Sequence, residues 1–351
     1  MNAEDAGMAG TGDTHGAALV PPPGTAGSPR SASLTDGGWR RIIRDQPLIP
    51  LLILFVALVA ALELSKPGIV NGNWVATTVR SAIPLAILAA CQTLAMLTGG
   101  IDLSVGAVAS MAAFLMATLA TAQGPVVALS VAFVAAVIAG IVNGIGIGVF
   151  KVHPLIMTLG MSLVVLGLMS VYQLAMVQSG TQIPEAIQWL GSGISFGFVP
   201  NSLVVFVPIA VVIVVGLRRS GYGRLLFAVG DNPIAARLAG ARVWQVHVAL
   251  YILSAFLAAV AGILLAGLNN TATVSLVEQS VLPSVAAAVI GGTSIMGGRG
   301  GYSGTIVGAL ILTVVTTLLT VLEMPEAVRQ VLFGVIIVAV AAAYTRVSGD
   351  S

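Results

Sequence analysis

The chain has 351 residues, 57% of them hydrophobic and only 8% charged, with 15 basic against 13 acidic side chains and a single cysteine. A soluble domain is about 25% charged, so this chain cannot cover a water-facing surface of ordinary size. It is also too apolar for a disordered protein and too balanced in charge for a nucleic-acid binder, and Cys91 alone cannot make an internal disulfide, which leaves a polytopic membrane protein.

Residues 1–47 read as a flexible cytoplasmic tail. The stretch up to Gly38 is rich in Gly, Ala, Thr and Ser, includes Pro21-Pro22-Pro23 and has no helical period, a composition that does not build a core. Glu4 and Asp5, with no apolar run close behind, argue against a secretory signal. Arg40, Arg41 and Arg44 then precede the first apolar run, as suits the cytoplasmic face of a membrane.

Apolar runs follow near 48–64, 81–98, 102–121, 125–149, 154–176, 201–217, 246–268, 280–296, 304–322 and 328–345. Each approximates the ~20 residues that cross about 30 Å of hydrocarbon as a helix. The runs are too long and uniform for barrel strands, so the expected fold is all-α. About ten transmembrane helices make up a permease domain over 48–345, followed by a short cytoplasmic tail at 346–351. A helix broken at Gly99-Gly100 would change that count by one or two.

Charge sets the orientation. With ten spans and the N-terminus inside, Arg30, Arg40, Arg41, Arg44, Lys151, Arg218, Arg219, Arg224, Arg237, Arg242, Arg299 and Arg346 are cytoplasmic, while Lys66, Arg80 and Arg329 are outside. Twelve against three is a strong positive-inside bias, and both termini are placed in the cytoplasm. The longest outer connection, 178–200, holds Pro184, Glu185 and Trp189; the longest inner one, 218–246, holds five arginines and one acid, Asp231.

Chemistry is scarce along the chain. Its two lysines, Lys66 and Lys151, lack the glycine and hydroxyl neighbours of a nucleotide-binding P-loop, so ATP hydrolysis is not expected here. His15, His153 and His247 lie apart in the tail or near loop ends, and neither a metal cluster nor a nucleophile–base pair stands out. The expected role is that of a transport subunit, not an enzyme, without cofactor or metal. Asp102 is the acid nearest the membrane interior. It or Ser104 serves as the cap of the helix that begins there, or else belongs to a path for cargo or ions.

Four segments carry the remaining information. Gly140, Gly144 and Gly148 lie four apart on one helix face, a spacing that lets helices approach closely in lipid. In the inner loop, Asp231 or Asn232 suits an N-cap, Pro233 the first helical position and Gly240 the stop. The helix between them is about two turns long, too short to be stable alone. Ile234 and Leu238 give it an apolar face, while Arg237 and Arg242 can meet acids on a partner. Residues 290–304 hold seven glycines in fifteen and read as a non-helical turn covered by protein. Leu97-Thr-Gly-Gly-Ile-Asp-Leu-Ser-Val-Gly106 and Ile295-Met-Gly-Gly-Arg-Gly-Gly-Tyr-Ser-Gly304 are faintly alike, each setting a Gly-Gly pair before an apolar span. Scattered polar groups in the spans are Gln92, Thr93, Asn143, Ser162, Tyr172, Gln173 and Ser254. They either hydrogen-bond between helices or, with Asp102 and Ser104, line a translocation path for a neutral polar cargo.

Four blocks in order resemble the permease subunits of bacterial ABC importers for monosaccharides, the ribose-type family. They are 97–106, Asn143-Gly to Pro154 with Thr158-Leu-Gly160, Gly223-Arg224 to Gly240, and 288–300; the likeness covers roughly 48–345. The resemblance implies two such subunits, a homodimer, forming a pore in the bacterial inner (cytoplasmic) membrane. It also implies a cytoplasmic ABC ATPase that drives the pore and a periplasmic sugar-binding protein that delivers the cargo. The position of Asp231, Asn232, Pro233, Ile234, Arg237, Leu238 and Gly240 matches the short helix that fits a cleft in the ATPase. This chain has no acid shortly before Ile290-Gly-Gly-Thr293, where ribose-type members often carry one, so the sugar stays open. Two alternatives stand beside this reading: a permease of a branched-chain amino-acid ABC importer, and an autonomous secondary transporter or channel.

Overall fold

Eighteen apolar residues without a break form α1 (Leu48–Ser65), as expected from hydropathy alone. The structure, a computed structural model, describes residues 48–176, 181–325, 327–332 and 334–335. The expectations for the tail 1–47, for the end of the last span and for 346–351 lie outside the described residues. Four long helices follow: α2 (Gly72–Leu97), α3 (Val105–Gln123), α4 (Pro125–Gly148) and α5 (Pro154–Met176). The bounds of α4 and α5 fall within a residue of those read from the sequence. By contrast α2 starts at Gly72 rather than 81, because the Asn71 side chain accepts from Trp74 N at 3.0 Å and so starts the helix ahead of the apolar run.

Beyond α5 comes a compact connection. It consists of α6 (Glu185–Ser192) and a two-residue hairpin, β1 (Ile194–Ser195) antiparallel to β2 (Val199–Pro200). Then α7 (Leu203–Arg219) turns by 67° into α8 (Gly221–Asp231). The bend is built by Ser220, whose extended backbone and side-chain bond to Gly223 N cap the second helix. After the six-residue α9 (Pro233–Leu238) runs α10 (Val243–Asn269), the longest helix among the described residues.

The expected span 280–296 differs from the structure. A 3-10 turn at Glu278–Ser280 leads into α11 (Val281–Ile290), which at ~1.5 Å per residue is about 15 Å long, half a hydrocarbon thickness. The preceding stretch is not helical, yet it is held inside the protein: Val277 is fully buried and its N–H donates to Ser110 Oγ of α3 at 3.0 Å. Irregular backbone at membrane depth is tolerated where protein covers it in this way. After a glycine loop comes α12 (Tyr302–Val321). Seven described helices are long and apolar enough to cross a membrane, or eight if α7 and α8 make one broken crossing. The fold is all-α and polytopic, and the difference from ten falls on the broken segments and on the chain end.

The core lies between α3, α4 and α10. A Cβ added to Gly140, Gly144 or Gly148 would come within 2.5 Å of Tyr251 O, 2.6 Å of Val248 Cα and 2.7 Å of Trp244 O respectively. The glycine stripe therefore lets the α4 and α10 backbones touch, as the spacing predicts. α3 is enclosed on nearly every side, whereas α1 presents most of its surface outward and packs on α12.

Candidate functional site

Two arrangements have the character of functional machinery. The first is the arm around α9. Asn232 has an extended backbone, and its side chain accepts from Ile234 N at 3.0 Å and Ala235 N at 2.9 Å. Pro233 stands at the first helical position and Gly240 takes φ +91°. The cap is thus Asn232 and not Asp231, which ends α8. One side of α9 is anchored, with Ala236 buried. The other carries Ile234 and Leu238, exposed by 70% and 86%, and Arg237 is exposed beside them. Next to the helix lies a groove of about 580 Å³ bordered by Tyr222, Leu225, Gly240, Arg242 and Gln245. This short helix thus turns its isoleucine and leucine outward, with Arg237 exposed beside them.

The second arrangement is a polar network in the interior, and it gathers four of the six expected path residues. Asp102 Oδ1 accepts from Ser104 N at 3.1 Å and from Ser104 Oγ at 2.6 Å, while Oδ2 accepts from Ser254 Oγ at 2.7 Å. Asn143 Nδ2 donates to Ser104 Oγ at 2.9 Å. The Gln92 amide brackets the Asp102 backbone, donating to its carbonyl at 2.8 Å and accepting from its N–H at 3.2 Å. Thr158 Oγ1 of α5 accepts from Leu103 N and donates to Ile101 O. Four helices, α2, α4, α5 and α10, are tied to the loop that leads into α3, and Gln92, Asp102, Ser104, Asn143 and Ser254 are all buried.

The capping expectation changes in detail. Ser104 does occupy the N-cap position of α3 but makes no side-chain cap bond; its backbone is already helical, and its hydroxyl oxygen accepts from Asn143 while its proton goes to Asp102. Thr93 and Tyr172 stand apart from the network. Thr93 Oγ1 meets Thr305 Oγ1 of α12 at 2.8 Å, and the Tyr172 hydroxyl meets Thr118 Oγ1 at 3.0 Å with its ring edge-on to Phe114. Thr305 was not visible as a partner in the sequence, where it looks like an ordinary residue of an apolar helix, and Thr158 stood out only within a block of the family resemblance.

A buried carboxylate held by two hydroxyls is costly to disturb. Replacing Asp102 with Ala leaves Ser104 and Ser254 without their acceptor and is expected to destabilise the bundle by about 2–4 kcal/mol. Asp102→Asn, which keeps the shape and one acceptor, should cost less. Thermal unfolding in detergent micelles measures both, and an alanine variant that melts with the parent would remove this role from the network.

The two faintly similar segments are brought together in space. The amide of Gly298 donates to Leu97 O at 3.1 Å, and a Cβ at Gly99 would lie 3.4 Å from Met296 O. The turn expected from the glycine density is present, with Gly292, Gly297, Gly298 and Gly300 all at positive φ.

Comparison with known proteins bears on this geometry. A family profile described as branched-chain amino acid transport system / permease component matches residues 75–341. The chain is 33% identical over 294 residues to the probable ABC transporter permease protein YphD of Escherichia coli strain K12, covering 83% of this chain and 87% of the relative. It is 31% identical over 297 residues to the fructose import permease protein FrcC of Rhizobium meliloti, covering 83% and 82%. With the ribose import permease protein RbsC of Bacillus subtilis strain 168 it shares 32% over 293 residues, 83% of this chain and 90% of the relative. No solved structure matches.

Proposed function

We propose a function that proceeds from one premise: this chain belongs to the family described as branched-chain amino acid transport system / permease component. It is the membrane-spanning permease subunit of an ATP-binding-cassette importer, and its cargo is a monosaccharide. A separate cytoplasmic ATPase drives it, a periplasmic sugar-binding protein delivers the cargo, and a second copy of the chain completes the pore in the bacterial inner membrane.

The observation that carries the reading is α9. A permease without a motor needs a surface on which force can be applied. Ile234 and Leu238, outward and adjacent on the arginine-rich inner loop, supply apolar area and charge for an ATPase cleft. The arm is capped at both ends by Asn232 and Gly240, so it can be pushed as a unit.

A sugar cargo is supported by the fructose and ribose permeases among the relatives and by the polar chemistry of the interior. An amino acid would call for a basic group to meet its carboxylate. The buried polar side chains among the described residues are hydroxyls and amides, apart from Asp102, and Asp102 is already engaged. Gln92, Thr93, Asp102, Ser104, Asn143 and Tyr172 then hold the helices that shape the path, or line it when the pore opens. Weak binding along the path suits an importer whose selectivity resides in its receptor.

Reconstitution tests the assembly as a whole. Proteoliposomes holding this chain, the ATPase and the receptor should accumulate labelled D-ribose or D-fructose only with ATP inside. Accumulation by this chain alone on an ion gradient would overturn the reading in favour of a secondary transporter.

A further inference from the structure

Three stretches far apart in sequence cross one another backbone to backbone beside the arm. They are the end of α2 at Leu97–Gly99, the end of α8 at Gly230 and Asp231, and the loop between α11 and α12 at Met296–Gly298. A Cβ on Gly230 would fall on Leu97 O and Gly298 N. On Gly297 it would lie 2.7 Å from Gly230 O and 3.0 Å from Gly99 N, and on Gly298 3.1 Å from Asp231 Cα. Gly99, Gly297 and Gly298 have φ +76°, +92° and +70°, a region that side chains disfavour, so the crossing needs glycine for conformation as well as for space. The loop is braced from within by Ser294 N donating to Arg299 O at 2.9 Å and Thr293 N to Ala288 O at 3.0 Å. Asn232, the cap of α9, follows Asp231 directly.

We propose that this crossing is the joint that carries displacement of α9 into the membrane, with Gly230, Gly297 and Gly298 as positioning residues. The inference rests on the reading of α9 as the surface an ATPase moves. Backbones in direct contact have no side chain between them to yield. A push on α9 therefore moves Gly230 against Leu97 and Gly298 together. Through Leu97 it reaches α2 and so Gln92 and Thr93; through the loop it reaches the half-span α11 and α12. A half-length helix hinged on irregular backbone at Val277 is the element best able to tilt in response.

The joint predicts uncoupling without undocking. The test uses the full complex of this chain with its ATPase, in nanodiscs for ATP turnover and in proteoliposomes for uptake, with receptor charged with D-ribose or D-fructose. In Gly230→Ala the ATPase should co-purify at parent stoichiometry and hydrolyse ATP within twofold of the parent's basal rate. Uptake should fall at least tenfold, so that ATP consumed per sugar rises by the same factor. Simple loss of folded complex would lower both rates together and leave that ratio unmoved. Gly301→Ala, in the same loop with open space around its Cβ, should keep the parent ratio. If Gly230→Ala fails to assemble, Gly99→Ala, whose Cβ would meet the Met296 carbonyl at 3.4 Å and strain the backbone at φ +76°, should raise the ratio several-fold. A parent ratio in an assembled Gly230→Ala complex, or in Gly99→Ala when that variant stands in, overturns the joint, as does an equal rise in Gly301→Ala. Failure of the docking reading is seen separately, as an ATPase whose co-purification ignores Leu238→Asp.

Discussion

Leu238→Asp abolishes ATP-driven uptake while leaving the protein folded in the membrane. Leu238 is 86% exposed, so its own chain has nothing to lose, and a surface change of this kind costs within about 0.5 kcal/mol of stability. The loss falls on the complex. Burying a leucine in a cleft is worth roughly 2 kcal/mol, and forcing an unpaired carboxylate into the same cleft adds at least as much. A total near 4 kcal/mol weakens docking by about a thousandfold. Leu238→Met, which keeps apolar volume, should bind the ATPase as the parent does. Co-purification of the ATPase and uptake of labelled sugar are the two measurements. Undiminished uptake by the aspartate variant would show that α9 is not where force enters.

Gly144→Leu removes the folded protein itself. At this position the α4 and α10 backbones are in contact, and a Cβ would lie 2.6 Å from Val248 Cα with Val248 O at 3.2 Å. Main chain cannot rotate out of the way as a side chain can. The helices must separate, opening the contact that Gly140 and Gly148 also need, at a cost of more than ~3 kcal/mol. The same substitution at Gly160 or Gly167 on α5, where nothing lies within 4 Å of a Cβ, should be near neutral. Monodisperse yield and thermal unfolding in detergent separate the cases. Equal behaviour of Gly144→Leu and Gly160→Leu would mean that the stripe is not a packing seam.

Some elements were legible because their cause is local. Continuous apolarity is enough to place α1, α4 and α5, since a helix in lipid satisfies its own backbone. The arm was equally legible: a capping residue, a proline at the first helical position and a glycine at positive φ are chemical signals within nine residues, and they outline α9 to its ends. Hydropathy failed where the chain's surroundings change the solvent. Residues 72–80 are too polar to score as a span, yet they are helical because Asn71 caps them. Residues 280–296 read as one span, yet its helix, α11, stops at Ile290, where Gly291 and Gly292 begin the loop, and the stretch before it is held by Ser110.

The candidate sites divide along the same line. Asp102, Ser104, Gln92 and Asn143 could be named as polar residues in an apolar chain, but periodicity cannot say that four helices and a loop turn them toward one another, or that Ser254 and Thr158 complete the set. Thr93 and Tyr172, equally polar in sequence, pair elsewhere.

By composition and spacing alone the sequence determined a membrane-embedded helical bundle, the seam of glycines on α4 and the arm at 231–240. Those properties follow from the solvent each segment must satisfy and from backbone rules that act over a few residues. Tertiary structure alone decided that Gly230 meets Leu97 and Gly298, that the polar side chains close on Asp102, and that one apolar run is only half a helix. Each depends on contact between segments up to about two hundred residues apart, and no local propensity records which backbone will lie against which.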